Sequence, residues 1–147
     1  MATTTRTIKA TPDQVWDVLA DGWLYPLWVV GASRMREVDT TWPEVGSELH
    51  HSVGAWPLLV DDLRGVVDAI PGRFLHLHAR ARPTGVAAVQ ITLEPSGGHT
   101  RVVVEEDAIS GPARLVPRLV RDPALKWRNV ESLRRLAYLA ERRSARG

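Results

Sequence analysis

From Phe74 to Ala81 the chain reads FLHLHARA, and from Val86 to Glu94 it reads VAAVQITLE. In the first stretch Leu75, Leu77, Ala79 and Ala81 alternate with Phe74, His76, His78 and Arg80. In the second, Ala87, Val89, Ile91 and Leu93 alternate with Ala88, Gln90, Thr92 and Glu94. A period of two belongs to extended backbone, where successive side chains point to opposite faces. One apolar face and one wet face mean an antiparallel sheet covered on one side.

Four more segments read as strands, at 33–39, 47–53, 58–70 and 99–109. The turn signals TTWPEVG, GAWP, IPGR, RPTG and PSGG separate the extended segments, so strands should pair with their sequence neighbours. The β-branched run TTTRTIKA, 3–10, supplies a first strand. TPDQVWDVLAD, 11–21, carries the signals of a helix start. Thr11 suits the cap, Pro12 the first position and Asp13 the positive end of the dipole, and Gln14 completes a capping box. Val15, Trp16, Val18 and Leu19 form its apolar side. In GWLYPLWVVG, 22–31, Pro26 interrupts any long helix, so one or two short turns are expected.

The last element reads as a helix from near Asp122 to near Arg142. At the helical period, Leu125, Val130, Leu133, Leu136, Ala137 and Ala140 fall within an arc of about 140°. Glu131, Arg134, Arg135, Tyr138 and Arg142 lie opposite. The apolar stripe must be buried against the apolar face of the sheet.

A chain of 147 residues suits one domain, 1–147. Without cysteine it has no disulfide, thiolate metal site, iron–sulfur cluster or cysteine nucleophile. MATTTRTIKA lacks the apolar core of a signal peptide, and no apolar run reaches the ~18 residues that span a bilayer. A cytoplasmic protein without stable membrane insertion is therefore expected. The formal net charge is +2 and the isoelectric point about 9.5, with many arginines near the C-terminus. Glu131 and Glu141 interrupt those arginines and no base-reading motif accompanies them. They read as a solvated helix face, and nucleic acid is not expected as a partner.

The words ATPDQVWDVLADGWLYPLWVVG, TWPEVGSELHHSVG, HTRVVVEEDAISGP and RNVESLRRLAYLAE follow one another in this chain. Together with the element order they resemble the START-like (SRPBCC) superfamily, and within it the bacterial polyketide cyclase/dehydrase-like branch. The resemblance covers nearly the whole chain. It implies the α+β helix-grip fold, a curved seven-stranded antiparallel sheet around a long C-terminal helix, with two short helices between strands 1 and 2. It also implies a ligand cavity between sheet and helix. The superfamily includes aromatase/cyclases, lipid carriers and hormone receptors, so function must be read from the site.

In SELHHSV, Leu49, His51 and Val53 share one face by period two, and Glu48, His50 and Ser52 share the other. The apolar neighbours of His51 point it toward the cavity, and His50 looks out near His76 and His78. Adjacent histidines on opposite faces cannot hold one ion, so no metal is expected. Glu106 shares a face with Val102 and Val104. Either it has a partner in the cavity, or it lies close enough to the strand end to reach water or a backbone donor. Asn129 falls at about 40° inside the apolar arc. It either hydrogen-bonds a ligand or ties the helix to the preceding segment. Trp23, Tyr25 and Trp28 sit where, by the resemblance, the fold closes one end of its cavity, and Trp56 lies on a loop that could gate it. Leu75, Leu77, Val89, Ile91, Val104 and Leu133 complete the expected walls.

Two functions fit these residues. One is the binding of a small hydrophobic molecule (a polyketide, a lipid or an aromatic metabolite) with no cofactor. The other is a polyketide cyclase/dehydratase-type enzyme, with Glu106 or His51 as acid/base and Asn129 or Tyr25 donating to a carbonyl oxygen. A monomer or a homodimer is compatible with either.

Overall fold

The computed structural model describes the backbone of residues 2–21, 24–28, 32–53, 60–81, 85–110 and 118–146. It describes the side chains of 3–21, 24, 27–28, 38–49, 65–79, 86–107 and 126–142. Among these residues seven strands form one sheet: β1 (Ala2–Ile8), β2 (Ala32–Val38), β3 (Glu48–Val53), β4 (Val60–Ile70), β5 (Phe74–Ala81), β6 (Gly85–Ser96) and β7 (His99–Ser110). Helices α1 (Pro12–Ala20) and α2 (Tyr25–Trp28) lie between β1 and β2, and α3 (Arg118–Arg146) follows β7. The strand order is β1-β7-β6-β5-β4-β3-β2, with every neighbouring pair antiparallel. From β2 to β7 each strand pairs with its sequence neighbour, and β1 joins the far edge beside β7. An open antiparallel sheet with a C-terminal helix fits the helix-grip architecture.

The alternation in sequence becomes one buried face. Leu75, Leu77 and Ala79 of β5, Val89, Ile91 and Leu93 of β6, and Val102, Val104 and Glu106 of β7 are all buried. Strand register lines them up in rows across the sheet. Leu77 pairs with Val89, which pairs with Glu106, and the next row is Leu75, Ile91, Val104 and Thr4. The other face is less wet than the alternation implies. Phe74, His76 and His78 are half-buried there, and their rings meet edge to face at 6.3 and 5.4 Å.

α1 begins as its sequence predicts. The Gln14 N–H donates to Thr11 Oγ1 at 3.3 Å and the Thr11 N–H donates to Gln14 Oε1 at 2.9 Å, forming the reciprocal capping box. Val15, Trp16, Val18 and Leu19 are buried. Trp42 lies in the TTWPEVG turn and is nonetheless buried, and its Nε1–H donates to the Leu19 carbonyl at 3.1 Å. A buried tryptophan usually pairs its one polar atom, and the end of α1 supplies the acceptor for Trp42.

α3 starts four residues before the expected Asp122, at Arg118. Pro123 lies inside the helix rather than at its first position. Its missing N–H removes one bond, to the Leu119 carbonyl, and the helix continues through it. Leu133, Leu136, Ala137 and Ala140 are buried as the arc requires, but Val130 is 46% exposed. Val130 stood at the edge of that arc. Burial of Ser132, just beyond the other edge, shows the buried stripe rotated toward it by about 20°. On the outer side Glu131 pairs with Arg135 and with Arg134, both at 3.1 Å. α3 packs on β1, α1 and α2. Among the described residues no helix is long and apolar enough to cross a membrane.

Candidate functional site

Where α3 passes over β5, β6 and β7 it leaves a cavity. Its apolar walls are Leu77 from β5, Val89 and Ile91 from β6, Val104 from β7, Trp28 from α2 and Leu133 from α3. Its polar members are Glu106, in the Leu77–Val89 row, and Arg128, Asn129 and Ser132 from α3. The space open to the centres of water-sized molecules is ≈ 40 Å³. One water needs about 10–15 Å³ on that measure, so the cavity holds a few waters and must widen for a multi-ring guest.

The polar members converge on one carboxylate. Glu106 is only 2% exposed. Arg128 Nη2–H donates to both of its oxygens, and Asn129 Nδ2–H donates to Oε2 at 3.1 Å. The Arg128 side chain is 32% exposed, so the guanidinium bridges the solvent edge of α3 and the buried acid. Arg128 and Asn129 project about 100° apart, as adjacent helical residues do. Both reach one acid because arginine is long. A charge buried in apolar surroundings must be paired, and here the pair is locally neutral.

Eight residues expected at a site from sequence thus surround one cavity: Trp28, Leu77, Val89, Ile91, Val104, Glu106, Asn129 and Leu133. Leu75 is fully buried in the core beside Ile91 and does not line it. Trp56 and Trp23 lie outside the described residues, as do the side chains of Tyr25, His50 and His51, so the facing of the two histidines lies outside as well. Glu106 reaches side chains rather than water or a backbone donor, and Asn129 ties α3 to the sheet through it. Arg128 and Ser132 were not anticipated. The signal for Arg128 was present: a carboxylate in a valine row requires a cation, and one stands next to Asn129. Ser132 is one helical turn from Asn129, on the flank toward which the buried stripe is rotated.

Away from the cavity, burial holds the His76 imidazole below its ordinary pKa of 6.5; neighbouring His78 adds to the effect and Asp68 opposes it. Among the described residues no group of three or more His, Cys, Asp or Glu could hold a metal ion.

Comparison with known proteins agrees with this architecture. A search of curated proteins finds no match. Solved structures do match. A Rhodobacter sphaeroides protein aligns with TM-score 0.73 at 24% identity, over 93% of this chain and 89% of its own. The aromatase/cyclase Zhui from Streptomyces sp. R1128 aligns with TM-score 0.69 at 19% identity, over 97% and 94%. The di-domain ARO/CYC StfQ of the steffimycin biosynthetic pathway aligns with TM-score 0.78 at 13% identity, over 97% of this chain and 51% of StfQ. At such identities the likeness is one of fold. The family described as polyketide cyclase / dehydrase and lipid transport matches residues 1–141. A match of that length, on a sheet and helix enclosing an apolar cavity, means that the chain belongs to the polyketide cyclase / dehydrase and lipid transport family.

Proposed function

We propose that the protein binds a small hydrophobic molecule between the sheet and α3. The observation that carries this reading is an apolar cavity whose buried charge is already neutralised in place, with Glu106 held by Arg128 and Asn129. Such a site suits a largely apolar guest with one or two polar groups. Glu106 keeps further acceptor capacity and Arg128 further donors, so a guest hydroxyl or carbonyl can share them. A flat or elongated polyketide, lipid or aromatic metabolite has that chemistry. Tyr25, His51 and Trp56 complete the proposed lining, and the sheet curves around α3 as a helix grip does. Widening falls to α2, a four-residue helix carrying Trp28, because ladder hydrogen bonds hold the β5–β7 wall.

A second reading is a cyclase/dehydratase-type enzyme using the same cavity, with Glu106 or His51 as acid/base. The shared fold of Zhui and StfQ favours it, as does a buried acid beside an amide donor. Arg128 and Asn129 already hold Glu106 in place and the rest of the wall is mainly apolar, which ranks binding first.

The test titrates a fluorescent apolar naphthalene sulfonate into the wild type and Val104→Phe, with circular dichroism as the check of folding. Filling the cavity should weaken probe binding at least about tenfold. Equal affinity in a folded variant overturns the reading. Native mass spectrometry of protein from its own host identifies the guest. With that guest, Trp28→Ala should weaken binding by about 1–3 kcal/mol. An enzyme would instead lose ~10²–10⁴ in turnover on Glu106→Gln with binding kept.

A further inference from the structure

The outward side of α3 is not the uniformly polar face that a solvated helix presents. Trp127, Val130, Arg134 and Tyr138 recur at helical spacing and form one stripe, and all four are exposed. Across from it stands Leu27 of α2, also more than half exposed. Between the two helices runs a groove of ≈ 590 Å³ lined by Leu27, Arg134, Arg135, Tyr138 and Leu139. Surface hydrophobics scattered singly need no explanation, but a concave cluster of them rimmed by charge marks a contact site.

The charge has a sign. Among the described residues beside the groove, Arg134, Arg135 and Arg142 stand with one carboxylate, Glu131, which pairs with the first two, leaving a surplus of two positive charges. Glu141, further along, accepts from the Lys9 backbone N–H at 2.9 Å. The cations are also held in place. Glu131 clasps Arg134 and Arg135, while Arg142 donates to the Tyr138 hydroxyl at 2.6 Å with its guanidinium carbon 5.4 Å from the ring centroid. Side chains fixed before contact lose little rotamer freedom on binding. Tryptophan, tyrosine and arginine are the residue types that dominate protein interfaces.

We propose that this groove docks an acidic amphipathic helix of another protein, its leucines against Leu27, Tyr138 and Leu139 and its carboxylates on Arg134, Arg135 and Arg142. Other occupants fit less well. A second copy in a two-fold contact would set these arginines against themselves. A bilayer is flat, whereas the groove is concave, and its α3 side is fixed because the opposite face of the helix is the core. Nucleic acid phosphates would answer the arginines and leave the apolar groove residues Leu27 and Leu139 uncovered.

The test uses a fluorescein-labelled peptide of about 18 residues, long enough to be helical, with one leucine stripe flanked by glutamates. Its partner replaces each glutamate by lysine. Fluorescence anisotropy should show the acidic peptide binding, more weakly at high salt, and the lysine peptide at least about tenfold weaker. The double variant Arg134→Ala/Arg135→Ala, and separately Tyr138→Ala, should each lower affinity for the acidic peptide by about tenfold or more. Their thermal midpoints should stay near wild type, since these side chains are exposed. Arg134→Glu/Arg135→Glu should reverse the preference toward the lysine peptide. Val104→Phe should bind the acidic peptide as the wild type does, because no residue lines both the groove and the cavity. Equal binding of both peptides, no binding up to about 1 mM, or no loss in the double variant overturns the proposal. So does tighter binding of phosphatidylglycerol vesicles or a DNA duplex than of the acidic peptide. A dimer seen by sedimentation that Tyr138→Ala dissolves overturns it in favour of a second copy.

Discussion

Arg128→Leu removes the charged partner of Glu106 and leaves the carboxylate on the Asn129 amide in a mainly apolar cavity. Breaking a fully buried ion pair by removing one partner costs about 3–5 kcal/mol, because the other charge stays buried. The Arg128 side chain is 32% exposed, and screening by that water reduces the expected loss to about 2–3 kcal/mol. Removing the other partner is a different perturbation. In Glu106→Leu the guanidinium can swing into the solvent it already touches, and only Asn129 is left short of an acceptor. That costs about 1 kcal/mol, partly offset by new apolar contact. In the double variant no charge is buried, so it should be more stable than Arg128→Leu alone and close to wild type. Urea denaturation of the four proteins gives the cycle, with equal slopes as the check on two-state behaviour. If Glu106→Leu cost as much as Arg128→Leu, or the two losses simply added, the pair would not be the neutralised unit described here.

Other outcomes follow from single features. Thr11→Ala removes half of the capping box on α1 and should cost about 1 kcal/mol, read as a shifted urea midpoint. Leu136→Ala opens a void at a fully buried position on α3 and should cost about 2–5 kcal/mol by the same measurement. Because the folded His76 pKa lies below 6.5, the unfolded chain binds more protons between the two values. Stability should therefore fall as pH drops through 6.5 toward the folded pKa, and His76→Asn should flatten that part of the profile. An unchanged slope in the variant would assign the dependence to other groups.

Much of the sheet was legible because a period of two is fixed by backbone geometry. It placed Leu77, Val89, Ile91, Val104 and Glu106 on one face before any contact was known. The capping box was equally legible, since all its members lie within four residues. What periodicity does not encode is reach. Arg128 projects outside the apolar arc, yet its side chain is long enough to come back to Glu106. Val130 lay on the arc's edge, where a small rotation of the helix decides between core and solvent. The expected start near Asp122 fell short of Arg118, because packing carries the helix through Pro123. Trp42 sits among turn residues, and only the tertiary position of the Leu19 carbonyl makes it core. Cavity size depends on how α2 and α3 stand off the sheet, which no local pattern records.

The placement of β1 has a consequence for how the chain is made. Ile8 pairs with Thr100, and the rest of β1 pairs along β7 from there. β1 leaves a ribosome before the other six strands and therefore has no partner in this sheet until roughly 90 more residues follow. At synthesis rates of about 5–20 residues per second, that wait is on the order of 5–20 seconds. Meanwhile β2 to β6 can form their hairpins in sequence, each as soon as its second strand emerges. The N-terminal strand and α3, which pack on each other, must then join together at the end. Nascent chains stalled before His99 should accordingly be cut by protease first within residues 2–8, and full-length chains should protect them.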